Sequence, residues 1–408
     1  MEEGSRPVRP SLDCQAISWG INSIIMGTPF QNKTDASALL ALVGEYRIGV
    51  RGGVEIVRAR LLPRLRGTDP EVRAALAAWG GEAHVHEDEE GTEIVLVRTC
   101  VAIRQHWLLS AICFLLTLLT TLAAGALLQG VDPLRTRFVG GWLALPTAIE
   151  PGALWRGATF AIPFLAILLS HESGHYLAAR RHRIPVSPPL FIPFPPWYSL
   201  IGTLGAFIRI RGPTVRRSAL LDVGAAGPYA SFLLSLPVLV TGLALSYTTA
   251  GVANFATPFV IHFAGEPVRI GSGVLLHLLG VLFFGSAFGS TPVLLHPLAF
   301  AGWLGLFVTA LNLMPLGQLD GGHILYSLWE QPGQERAARL FLLALLPMGL
   351  LWWGWWVWAV AALLVNRGRV GHPPVLQPRP SLDSGRRLLA QLAILIFIVT
   401  MVPVPLAL

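Results

Sequence analysis

Apolar residues follow two different patterns along this 408-residue chain. Between residues 45 and 99 they come in short groups interrupted by charged positions, as in small half-buried elements. From residue 106 onward they come in long runs nearly free of charge, at 107–128, 155–179, 220–245, 295–316, 340–365 and 388–408. A helix needs roughly 20 apolar residues to cross about 30 Å of hydrocarbon, and these runs are of that order. A further run, 274–288, is apolar but nearer about 15 residues. The pattern predicts a polytopic α-helical membrane protein with about 6–8 membrane segments, one of them re-entrant. A small N-terminal soluble α/β domain precedes them.

Three regions follow. Residues 1–44 are weakly patterned and expected to be flexible. Residues 45–104 read as a small cytoplasmic α/β domain, and 105–408 as the transmembrane part. Within the small domain, Thr68-Asp69-Pro70-Glu71 is a helix start, a polar cap followed by proline where no amide partner is needed. Gly80-Gly81 ends that helix; extended runs at 83–86 and 92–97 flank a charged turn at 87–91. A small sheet with one helix is expected. His84 and His86 share one face of a charged strand, which reads as a solvated face rather than a metal site.

Composition agrees with lipid as the solvent for much of the chain. Hydrophobic residues make up 53% and charged residues only 13%, against roughly a quarter charged in soluble proteins. The net charge is +7 and almost all of the base is arginine, Lys33 being the only lysine. The arginines sit beside apolar runs, not on an organised face, so nucleic acid is not an expected partner. Arg98 and Arg104 precede the first run; Arg180, Arg181 and Arg183 follow the second; Arg209, Arg211, Arg216 and Arg217 precede the third. Arg369, Arg379, Arg386 and Arg387 precede the last. The positive-inside rule puts all of these in the cytoplasm. That favours 340–365 as an in-and-out hairpin over a single tilted span. Cys14, Cys100 and Cys113 show neither metal nor disulfide spacing. No basic start followed by an apolar core marks a signal peptide.

The candidate chemistry lies in His171-Glu172-Ser173-Gly174-His175, inside the second apolar run. Residues four apart on a helix lie one above the other, so two imidazoles there can bind one Zn²⁺. Zinc lowers the pKa of bound water towards neutrality, and the intervening Glu172 can accept its proton. Ionisable groups at membrane depth are costly, by at least about 2.5 kcal/mol for a charge near the centre, and a metal compensates them. A catalytic zinc needs a third protein ligand and keeps a fourth position open. Asp320, in the stretch Asn312-Leu313-Met314-Pro315-Leu316-Gly317-Gln318-Leu319-Asp320-Gly321-Gly322, is the candidate. Pro315 and Gly317 break the helix there, which is tolerated at membrane depth only where backbone is buried in protein or faces a cavity.

Together the two motifs resemble the site-2 protease family of intramembrane zinc metalloproteases, with H-E-x-x-H in one span and N-x-x-P-x-x-x-x-D-G in a later one. The resemblance covers roughly residues 105–408. The stretches 114–125, 202–212, 222–228 and His372-Pro373-Pro374 look like a bacterial branch related to the EGY-type proteases of plant plastids. The resemblance implies one zinc per chain held by His171, His175 and Asp320. It implies Glu172 as general base, and Asn312 lining the active site to polarise the substrate carbonyl or orient groups near the metal. It implies membrane-spanning protein segments as substrates, the lipid bilayer as surroundings and a bacterial inner membrane as location, with the active site near the cytoplasmic side. Two alternatives stand beside it: a membrane zinc protease of the type that processes prenylated tails, whose third ligand is a glutamate, and a catalytically idle chaperone-like relative.

Two further expectations concern geometry. Asp320 must reach the depth of His171, so 295–316 must run towards the arginine-rich side and 274–288 cannot be a full crossing. The segment 188–211 is too apolar for an ordinary loop, and five prolines from Pro188 to Pro196 forbid a regular helix. Residues 203–211 alternate in a β-like way, suiting either an edge strand that pairs with an unwound substrate or an interfacial anchor. His323 is a candidate neighbour of the metal ligands, and His182, His262, His277 and His296 read as structural.

Overall fold

The computed structural model describes residues 39, 42–51, 54–79, 81–88, 91–99, 106–210, 216–251, 256–366, 368–372, 375 and 382–407. The flexible segment expected over 1–44 lies almost wholly outside these residues, as do Cys14, Lys33, Gly80, Cys100, Arg104, Arg211, Arg367, Pro373, Pro374, Arg379 and the tip of the 87–91 turn. Backbone contacts divide the chain into two units, the first within 1–104 and the second from 105 onward, residues 211–213 excepted.

The first unit is an antiparallel sheet with one helix. Strands β1 (Val43–Arg51), β2 (Val54–Leu61), β3 (Glu82–Asp88) and β4 (Gly91–Thr99) pair in the order β1-β2-β4-β3. Helix α1 (Pro70–Ala77) starts after Asp69 with proline in its first turn. Its buried Val72 and Ala75 pack with Trp79 against Val57, Leu61, Ile94 and Leu96. The sheet has four strands where the sequence marked two. Arg58 and Arg60 alternate through β2 with the core-facing Val57, Ala59 and Leu61, so its apolar residues do not form a continuous run.

The second unit begins with α2 (Trp107–Leu127), a short hairpin of β5 (Arg137–Val139) and β6 (Leu143–Leu145), and α3 (Pro151–Arg156). Then come α4 (Ala158–Arg181), the hairpin β7 (Leu190–Pro193) and β8 (Thr203–Phe207), and α5 (Arg217–Ala244). After β9 (Tyr247–Thr248), β10 (Phe259–Phe263) and β11 (Glu266–Ile270), the chain forms α6 (Val274–Phe284), β12 (Val293–Leu294) and α7 (Pro297–Asn312). Helices α8 (Asp320–Leu351), α9 (Gly354–Val365) and α10 (Ser384–Thr400) and strand β13 (Leu406–Ala407) complete it.

The helix ends reveal how these elements are oriented. Asp222, near the start of α5, binds His182 at the end of α4 (2.8 Å) and both Arg386 Nε (2.9 Å) and a terminal guanidinium nitrogen (2.8 Å) at the start of α10. Asp383 caps α10, and the backbone N–H and guanidinium of Arg386 hold its carboxyl below the usual carboxylate range. The arginine-bearing ends of three helices therefore converge on one carboxylate. At the opposite end of these helices lies a sheet of order β13-β11-β10-β12-β9, which the apolar runs did not disclose. Its strands are two to five residues long, too short to register as a pattern. Helix α6 leaves this sheet after β11 and returns to it at β12, so its 11 residues enter and leave at one end.

Among the described residues, α2 and α5 are long and apolar enough to cross a membrane; α6, α7 and α9 are apolar but shorter. The about 6–8 segments expected from run length alone are thus not all single long helices, because proline and backbone breaks shorten them. Helix α7 starts at Pro297 and ends before Pro315. Helix α8 breaks at Glu330 (φ 59°, ψ −175°). The Arg217 guanidinium caps the broken end, donating to Ser327 O (2.6 Å) and to Glu330 Oε1 (2.6 Å), a cation where helix carbonyls lack partners. The 340–365 run is a hairpin. Backbone extends at Trp352, and α9 brings Asn366 back to accept from Gln318 N–H (2.8 Å).

The core between α4, α5 and α7 is built on a ladder of rings. Phe160 stacks on Phe300 (5.5 Å), Phe300 on Trp303 (5.6 Å), and Trp303 on Phe307 (5.5 Å). Small residues let the helices approach: a Cβ on Gly174 would lie 2.5 Å from Ala226 O. In lipid such close packing replaces the hydrophobic drive that water provides.

Candidate metal centre

Helix α4 carries His171, Glu172 and His175 on buried turns, 4%, 7% and 7% exposed. Helix α7 ends at Asn312, the chain turns through Pro315 and Gly317, and α8 opens with Asp320. Gly317 has φ +46°, a left-handed conformation that a side chain resists. The turn returns Asp320 to the two histidines. Its Oδ2 lies 3.3 Å from His171 Nε2 and 3.2 Å from His175 Nε2, and the two Nε2 atoms are 3.0 Å apart. Asn312 Nδ2 is 3.3 Å from His171 Nε2. The Glu172 carboxylate is within electrostatic reach of both histidines and Asp320, with the backbone of Ile208, just beyond β8, close to it. The structure thus brings together all five residues marked in the sequence.

These groups fit a metal ion. One ligand atom from each of His171, His175 and Asp320 lies within 4.8 Å of the others. His175 Nδ1 is 2.7 Å from Val223 O. A carbonyl only accepts, so Nδ1 carries the hydrogen and Nε2 presents its lone pair. A buried carboxylate oxygen and imidazole lone pairs aimed at one point repel each other unless a cation sits among them. Two imidazoles and one carboxylate make three protein ligands, the number of a catalytic rather than a closed four-ligand structural site.

The remaining histidines sort differently. His323, one turn past Asp320, has Nδ1 2.8 Å from His372 Nε2. His182 binds Asp222, His296 caps α7 by accepting from Leu298 N–H (3.2 Å), His277 packs on Phe288, and His262 is exposed on β10. His84 and His86 are half-buried on β3. The sequence reading missed Ser231, whose Oγ is 3.0 Å from His171 Nδ1, and Asn366, which seats the turn before Asp320. The available signal for Ser231 was its spacing of four from Gly227, which puts both on the face of α5 that meets α4.

Comparison with known proteins agrees with this geometry. Residues 159–351 match the model of peptidase family M50. The chain is 29% identical over 307 residues to the probable zinc metalloprotease EGY1, chloroplastic, of Arabidopsis thaliana, covering 73% of this chain and 53% of that protein. It is 34% identical over 195 residues to the probable zinc metalloprotease EGY2, chloroplastic, of Oryza sativa subsp. indica, covering 48% of this chain and 33% of that protein. The chain therefore spans about half or less of the length of these relatives. No solved structure matches it significantly. Residues 159–351 of this chain thus carry the match to peptidase family M50, and the chain is similar to the EGY-type zinc metalloproteases.

Proposed function

We propose that this chain is an intramembrane zinc metalloprotease that hydrolyses peptide bonds in membrane-spanning protein segments. The observation that carries the reading is the convergence of His171 Nε2, His175 Nε2 and Asp320 Oδ2 beside a buried Glu172. These three residues would hold one Zn²⁺ per chain, which would supply Lewis acidity towards a carbonyl and a lowered pKa for water. Glu172 takes the proton from the attacking water and returns it to the leaving amine as the C–N bond breaks. Asn312, beside His171 Nε2, donates its side-chain N–H to the substrate carbonyl as charge develops on oxygen.

Residues 105–408 form the membrane protease domain and 45–104 a cytoplasmic domain. The location that resemblance to the bacterial branch supports is an inner membrane. The convergence of Arg386, His182 and Asp222 supports placing the arginine-bearing helix ends on its cytoplasmic side. His171 lies about 13 Å from Arg180 at helical rise, so cleavage takes place nearer that side. A third ligand that is aspartate, not glutamate, disfavours the prenylated-tail type, and an intact histidine–glutamate–histidine set disfavours an idle relative.

The test is a cleavage assay on membrane-protein candidates with parallel metal analysis. Wild type is expected to cleave and to hold about one zinc per chain; Glu172→Gln is expected to retain the zinc and lose cleavage. A folded, cleaving sample without zinc ends this reading.

A further inference from the structure

The metal reading leaves unexplained what fixes the second ring nitrogen of His171. That nitrogen, Nδ1, lies 3.0 Å from Ser231 Oγ on α5. Ser231 Oγ lies 2.8 Å from Thr309 Oγ1 on α7, and Thr309 Oγ1 lies 2.7 Å from Gly305 O. Ser231 is 2% exposed and Thr309 0%, so the chain of contacts is shielded from solvent along its length.

The last member sets the direction of the others. The Gly305 carbonyl can only accept, so the hydroxyl hydrogen of Thr309 is committed to it. The hydrogen between the two hydroxyls must then come from Ser231. With that hydrogen used, Ser231 Oγ can only accept from the imidazole. The alternative acceptors of Ser231, the Gly227 and Pro228 carbonyls at 3.1 Å, direct its hydrogen away from His171 as well. Either way His171 is held with hydrogen on Nδ1 and a lone pair on Nε2, the atom that faces His175 and Asp320.

We infer that Ser231 and Thr309 are positioning residues that lock His171 in its metal-binding tautomer, through a hydroxyl relay crossing from α4 to α5 to α7. The inference rests on the proposed metal site and adds to it. Ser231 acts directly on the ring, and Thr309 acts only through Ser231. Metal-ligating imidazoles depend on such partners, whose loss lowers metal affinity by ~10–100-fold.

The experiment measures the zinc dissociation constant of the purified full chain by competition with a chromophoric chelator, together with melting of the metal-free protein. Ser231→Ala is expected to weaken zinc binding by ~10–100-fold. Thr309→Val is expected to have a smaller effect, because Ser231 can still donate to its own helix. Thr309→Val added to Ser231→Ala is expected to change nothing further, since its only route is gone. Ser231→Thr and Thr309→Ser, which keep the hydroxyls, are expected to restore affinity towards wild type. If Ser231→Ala fails to fold, the Thr309→Val and Thr309→Ser pair carries the test, weaker and restored respectively. Wild-type affinity in Ser231→Ala, or independent additive losses from the two sites, overturns the relay and leaves the metal site standing. Failure of wild type itself to bind zinc overturns both.

Discussion

A Cβ placed on Gly227 of α5 would lie 2.1 Å from Nε2 of His175 on α4. The ring of one proposed ligand thus occupies the space where another residue would carry its first side-chain atom. Gly227→Ala must push His175 aside. Alanine is the better helix former by about 1 kcal/mol, so any loss cannot come from α5 itself. Zinc affinity of the purified variant is expected to fall further than the ~10–100-fold of a lost outer partner. Chelator competition measures it, and unchanged affinity would show that His175 is not a ligand.

Metal removal has a thermodynamic signature. A ligand that binds only the folded chain stabilises it by about 2.7 kcal/mol at a free concentration 100 times its Kd. Wild type is expected to melt at higher temperature with zinc than after chelation. His171→Ala, His175→Ala and Asp320→Ala should each abolish that difference. A zinc-dependent shift persisting in all three variants would place the metal elsewhere.

The turn before Asp320 is held by the chain that follows α9. Asn366 accepts from Gln318 N–H (2.8 Å) and donates to Ala362 O (2.8 Å), and it is 6% exposed. Asn366→Ala leaves Gln318 N–H without its acceptor, at a cost of about 1–3 kcal/mol, while Ala362 O keeps its bond from the residue 366 backbone N–H. Reduced stability on chemical denaturation and weaker zinc binding are both expected, although Asn366 touches no proposed ligand. Asn366→Asp keeps the acceptor for Gln318 and should lose less.

Orientation can be read by labelling. Single cysteines replacing Arg183 and Arg216 are expected to react from the cytoplasmic side, because His182 and Asp222 tie their helix ends together. Cysteines in the β5–β6 hairpin are expected to react from the other side. Reaction of the Arg183 and Arg216 positions from opposite faces would refute the arrangement.

The β7–β8 hairpin bears on how substrate is held. Among the described residues β8 pairs only with β7, and Ile208 next to it lies close to Glu172. An unwound substrate strand can bond to that open edge, replacing the helix bonds that cleavage requires it to lose. Proline placed successively from Gly205 to Ile210 removes one donor at a time. Loss of cleavage at alternate positions, with zinc content retained, is the expected result; uniform cleavage across the scan would leave the hairpin as an interfacial anchor.

The sequence by itself marked the candidate metal ligands and the long apolar runs. His171 and His175 are neighbours because a helix repeats every 3.6 residues, and Glu172 stands beside them for the same local reason. Long uncharged runs identified the helical unit, and Pro315 with Gly317 marked a broken helix before Asp320. What local pattern cannot supply is long-range contact. Strands β9, β12 and β13 are two residues long, too short to show a period, and exist because distant segments pair. The break at Glu330 is held by Arg217, 113 residues away. The partners of His171, Ser231 and Thr309, lie 60 and 138 positions from it along the chain and meet it only because glycines let α4, α5 and α7 pack closely. Their hydroxyls look like any others in an apolar run. Only the tertiary structure, by burying them against a ring nitrogen and a carbonyl, decides which way their hydrogens point.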